Sequence, residues 1–164
     1  MNSSFSEIIT EQIDIFLYNI EIAIKTCDLH YVLFNVPIWK HVYHMLHSLD
    51  KWFINPNCYE EPSFHESNMN NIDVKHDGEL SREQLQEYFD GICKKIRVYM
   101  GTMNDEMLKG KPEGCEYTRL ALIMGQFRHL YSHLGNVNAT TMIAEGRWPR
   151  VMGLDARKSD ELFE

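Results

Sequence analysis

Two short segments hold most of the side chains able to do chemistry. One, WKHVYHMLHSLDKWF from Trp39 to Phe53, carries His41, His44 and His47, and the other, QFRHLYSHLGNVNA from Gln126 to Ala139, carries His129 and His133. At about 100° per residue, positions 129 and 133 fall roughly 40° apart on one helix face and one turn apart along its axis. Two imidazoles so placed form a two-ligand metal clamp, which a third nitrogen from a neighbouring helix would complete. Three neutral imidazoles with room for a water match the ligand set of catalytic zinc sites, where the metal lowers the pKa of a bound water or thiol.

Other chemistries find little support. No H-E-x-x-H occurs, so the zincin reading fails, and the repeated E-x-x-H of di-iron bundles is missing. The glycines form neither G-x-G-x-x-G nor a P-loop, and nothing orients a triad built from Ser48, Asp50 or a cysteine. The bland reading of the histidines is a solvated face. In helical projection His44 falls opposite Ile38, Val42, Met45 and Leu49, beside Lys40, His47, Ser48 and Lys51. His129 and His133 lie away from Leu120, Phe127, Tyr131 and Leu134, beside Gln126 and Asn136. The histidines therefore line a polar cleft or plain solvent, with Ser48, Gln126 and Asn136 as candidate lining of a pocket. His30, His65 and His76 fall in link or loop regions without a spacing partner and read as surface residues, His65 being the one placed to help line a lid.

The elements that must position these residues are helices. Ile9, Ile13, Phe16, Leu17, Ile20 and Ile24 recur at steps of three and four and predict a helix over about 5–27. Pro37 suits the first turn of a second helix, over about 37–54, stopped near Pro56. Ser81 with Gln84 forms a capping-box pattern that opens a third helix, over about 81–108. A fourth, over about 117–143, follows the break at Gly110, Pro112 and Gly114, with Ile123, Met124, Leu130, Tyr131, Leu134 and Val137 on its apolar stripe. No convincing strand appears, and the tail past Gly146 reads as irregular. Between 55 and 79 periodicity vanishes, and so long a loop is either a lid over a site or a disordered crossover. The expected fold is all-α: one domain over 1–164, a four-helix bundle with a long crossover loop between helices two and three.

With 164 residues, 44% hydrophobic and 24% charged, the chain can fill a real core. Its net charge of −8 would repel phosphate backbones and anionic lipid, so neither nucleic acid nor membrane is an expected partner. The N-terminal stretch lacks a basic region followed by an apolar run, which predicts a cytoplasmic protein. Cys27, Cys58, Cys93 and Cys115 are widely spaced with no C-x-x-C pair, and read as buried or idle thiols.

The run RHLYSHLGNVN, with His129, His133, Gly135 and Asn138, resembles the R-H-x-x-x-H-x-G-x-x-N element of the DinB-like (damage-inducible) family. VYHMLHSLDKWF resembles that family's helix-two element, in which a Tyr-His pair precedes Leu and then Asp. The likeness extends to the LSREQL start of the third helix and to the Trp148 segment. It implies a four-helix bundle holding a divalent metal, zinc or nickel, on one histidine from helix two and two from helix four. His129 and His133 match directly. For the third ligand His44 matches the Tyr-His position and His47 fits the spacing to Asp50; the two are about 60° apart, so one of them binds, with His44 favoured and His47 beside it against the ligand or substrate. The resemblance further implies a thiol-dependent S-transferase or detoxification enzyme with a low-molecular-weight thiol as cosubstrate, a small-molecule substrate, and a homodimer paired through exposed helix faces. A non-catalytic metal-binding or protein-interaction bundle is the competing reading.

Overall fold

The computed structural model describes residues 3–154 and 159–164. Its elements run α1 (Phe5–Thr26), a hairpin of β1 (Val32–Leu33) and β2 (Val36–Pro37), α2 (Ile38–Trp52), a 3-10 turn (Pro56–Cys58), α3 (Arg82–Gly101), α4 (Asp105–Lys109) and α5 (Arg119–Glu145). The chain is thus mostly helical, and among the described residues no helix is long and apolar enough to cross a membrane.

Local chemistry sets the helix ends. Ser4 Oγ accepts from the Glu7 amide while the Glu7 carboxylate accepts from the Ser4 amide at 2.7 Å, a capping box that starts α1. Ser81 and Gln84 do the same for α3. Gly146, at φ +66°, ends α5 in the left-handed conformation that glycine adopts without steric cost.

α1 packs against α3 and α5, and α2 packs against the same two helices. One core fills the space between them, with Phe16, Ile20, Tyr43, Leu46, Leu49, Leu85, Ile123 and Leu130 fully buried. Each large apolar side chain so buried stabilises the fold by about 1.5–3 kcal/mol relative to its exposure.

Three sequence expectations need correction. The helix expected over 81–108 is two: Gly101 ends α3, and Asn104 caps a new short helix by accepting from the Met107 amide at 2.9 Å. The link before α2 is not strand-free, because Phe34 and Asn35 both take positive φ (52° and 63°) and fold Val32–Pro37 into a tight antiparallel hairpin. On α5 the buried stripe lies closer to the histidines than expected: Leu122, Ile123, Gln126, Leu130, Leu134 and Val137 are buried, while Met124 and Tyr131 are each 40% exposed. For the polar face of α2, which the sequence left open between a cleft and solvent, the structure selects the covered alternative. Lys40, His41 and His47 are buried, because the hairpin and the 55–79 segment lie across them. That segment inserts Met69 into the core, and the Val74 carbonyl accepts from Lys40 Nζ.

Candidate metal centre

Because α2 packs against α5, His44 meets the pair His129 and His133 across the helix interface. His44 Nε2 is 3.2 Å from His129 Nε2, and His133 Nε2 is 3.1 Å from the same atom. All three ligand nitrogens lie within 4.8 Å of one another, and the three residues are half-buried. His47, the alternative third ligand, is not among them.

Hydrogen bonds on the far side of two rings decide which nitrogens face the centre. The Asn70 main-chain carbonyl can only accept, so the proton of a neutral His44 sits on Nδ1, which donates to it at 2.8 Å. Ser48 Oγ donates to Gln126 Oε1 at 3.2 Å and so offers its lone pairs to His129 Nδ1, 3.0 Å away. Both rings then turn an unprotonated Nε2 inward. His133 Nδ1 is buried and meets no hydrogen-bond partner among the described residues, so no contact of this kind seen there fixes its tautomer. Burial, with the nearby His44, His129 and His41, lowers the His133 pKa to about 4, and burial followed by the charge of His44 lowers that of His129.

This donor set fits a divalent ion. Two lone pairs turned toward each other at 3.2 Å repel unless something positive lies between them. Ligand nitrogens about 2.05 Å from a common ion are ~3.3 Å apart in tetrahedral and ~2.9 Å apart in octahedral geometry, a range that contains the His44–His129 and His129–His133 separations. Neutral imidazole is also the protonation state that a metal requires.

A second group lies one turn along α2. His47 Nε2 donates to Glu61 Oε2 at 2.7 Å, Tyr59 OH donates to the same oxygen at 3.0 Å, and His65 Nδ1 stands 3.8 Å from it. Tyr43 OH is hydrogen-bonded to His65 Nδ1 at 2.7 Å, and the Asn70 amide nitrogen is 3.4 Å from His47 Nδ1. Burial lowers the His47 pKa despite its bond to Glu61. For Glu61 burial acts in the raising direction, but the bonds and charge of His47, with Tyr59, hold its carboxyl below the usual range. Because a carboxylate can only accept, the shared hydrogen bond is donated by His47 Nε2.

Of the candidate lining residues, Ser48 and Gln126 reach His129 as a relay, whereas Asn136 is exposed and makes no side-chain hydrogen bond among the described residues. His65 and His76, expected at the surface, have side chains only 15% and 8% exposed, because the loop folds back on α2 and pairs them with Tyr43 and Glu66. His30 is exposed, as expected, and faces Glu79. All four cysteines are free thiols, with Cys58 exposed and the others buried. Sequence reading missed Asn70 and Glu61. Asn70 acts through a main-chain atom that leaves no mark in residue type, and Glu61 lies in a stretch without periodicity. Comparison with known proteins finds no match for this chain, whether among family models, curated proteins or solved structures.

Proposed function

We propose that the protein is a divalent-metal-dependent enzyme of DinB-like type, a four-helix bundle crossed by the 55–79 segment, with His44, His129 and His133 as its metal ligands. The observation that carries this reading is the convergence of three imidazole Nε2 atoms, two of them set by Asn70 and Ser48 with their lone pairs inward. The donor set suits zinc or nickel.

When bound, such a metal supplies Lewis acidity that turns a coordinated low-molecular-weight thiol into a thiolate at neutral pH. The reaction class we infer is S-transfer. With a metal held there, S-transfer would join the thiol's sulfur to an electrophilic carbon of a small-molecule substrate, the leaving group taking the electron pair of the bond it breaks and the thiol's proton passing to solvent. The chain's own part is to hold the ligand rings in one tautomer through Asn70 and Ser48, and to keep water from one side of the centre with the 55–79 segment. The setting we infer is the cytoplasm, without nucleic acid or membrane as partner, in keeping with a charge of −8.

Elemental analysis of protein purified without chelator tests the metal. Near-stoichiometric zinc or nickel is expected, and it should fall in a His129→Ala, His133→Ala double variant. Protein that stays metal-free after zinc or nickel is supplied overturns the reading. A conjugation assay with several thiols and a model electrophile then tests the transferase, which requires activity that tracks metal content.

A further inference from the structure

We propose that His47, Glu61 and His65 form a second divalent-cation site, separate from the three-histidine centre. The separation between His65 Nδ1 and Glu61 Oε2, 3.8 Å, carries the argument. It is too long for a hydrogen bond, yet both atoms face the same space, and ligands about 2.1 Å from one ion stand roughly 3–4 Å apart. His47 Nε2 closes the set, all three donor atoms lying within 4.8 Å of one another. The chain brings them together from α2 and from two points of the loop four residues apart, so the loop's fold over α2 assembles the site. Two imidazoles and one carboxylate with further positions open are a donor set for Fe(II), Mn(II), Co(II) or Zn(II).

The protons balance. As the ion enters, the His47 Nε2 position now bonded to Glu61 gives up its proton and the neutral ring takes the Nδ1–H tautomer. A half-turn of the Asn70 amide then presents its oxygen to the Nδ1 proton, and because one N–H replaces the other no net proton is released. The ion displaces the Tyr43 hydroxyl from His65 Nδ1, so Tyr43 competes with it.

Full-length apo-protein titrated with Co(II), followed by the visible absorption of the bound ion, tests the site. Two equivalents are expected for the unchanged protein. Glu61→Gln, on a half-exposed loop residue outside the core, should lose one of them and keep the other. The His129→Ala, His133→Ala variant should keep the equivalent that Glu61→Gln loses, so failure of the three-histidine reading shows as a single equivalent still sensitive to Glu61. Tyr43→Phe, which preserves the buried ring, should tighten the second site by about twofold to tenfold. A Glu61→Gln protein that binds as many equivalents as the unchanged one, or a Tyr43→Phe protein with unchanged or weakened affinity, overturns the proposal.

Discussion

His44 donates from Nδ1 to the main-chain carbonyl of Asn70 at 2.8 Å, so the proposed metal ligand on α2 is aimed by a loop 26 residues further along the chain. Contacts of this kind around a metal ligand commonly govern 10- to 100-fold in affinity. Replacing residues 59–78 with a short Gly/Ser linker should therefore weaken zinc binding at the three-histidine centre by about that factor, measured by competition with a chromogenic chelator. Asn70→Ala keeps the carbonyl and should leave affinity within about threefold, since only the side chain is lost. Equal losses in both variants would show that the carbonyl is not what matters.

Ser48 offers a sharper version of the same test. Its hydroxyl accepts from His129 Nδ1 and donates its own hydrogen bond to Gln126 Oε1. Ser48→Ala leaves a part-buried N–H without a partner and frees the ring to change tautomer. Zinc affinity should fall by about 10- to 100-fold. Ser48→Thr, which retains the hydroxyl, should recover most of it, and a Ser48→Thr protein as weak as Ser48→Ala would point to packing instead.

Acid stability should depend on Asp105. This α4 carboxylate accepts from the Ser6 amide at 2.8 Å and the Phe5 amide at 3.3 Å, and so supplies an acceptor to the open N-terminus of α1. The hydrogen bond from the Ser6 amide, the largest influence, holds its pKa below the usual 3.8. The unfolded chain then binds the proton more readily than the folded one, so the stabilisation is present above about pH 4 and is lost as pH falls through the depressed folded value. Asp105→Asn should lower Tm by a few degrees at pH 7 and make the decline of Tm between about pH 5 and pH 2 shallower than in the unchanged protein. Parallel acid limbs for the two proteins would show that the carboxylate charge contributes nothing.

The hairpin before α2 carries backbone strain that a single exchange should relieve. Phe34 sits at φ 52° with 78% of its surface exposed, a conformation that disfavours a bulky residue and offers it no packing in return. Phe34→Asn should stabilise the protein by up to about 1 kcal/mol, since asparagine tolerates the left-handed region. Denaturant unfolding would reveal this as a higher midpoint at unchanged slope. A lower midpoint would mean that the exposed ring contributes more than the strain costs.

Much of this molecule could be read before its coordinates. The i, i+4 pair His129 and His133 and the capping box of Ser81 and Gln84 are set by local geometry, which depends only on spacing along the chain. His44 could be favoured but not separated from His47 by periodicity, because both face the same side of α2. What divides them is the partner each meets: α5 for one, Glu61 on the loop for the other. The burial of Lys40, His41 and His47 was illegible for the same reason. A helix projection assumes that polar residues face water, and it carries no information about a loop that folds back over them.

Lys40 shows how that covering loop changes the energetics of a polar face. Its residue is 2% exposed, its ammonium donates to the Val74 carbonyl, and burial lowers its pKa. No carboxylate pairs with it among the described residues. A buried ammonium held by one neutral acceptor costs desolvation that a single hydrogen bond only partly offsets, while its methylene stem packs like an aliphatic chain. Lys40→Met keeps the stem and removes the charge, so Tm should stay the same or rise by a few degrees. Lys40→Ala removes both and should destabilise by roughly 1–3 kcal/mol. A Lys40→Met protein as unstable as Lys40→Ala would mean that the bond to Val74, by pinning the loop over α2, outweighs the cost of burying the charge.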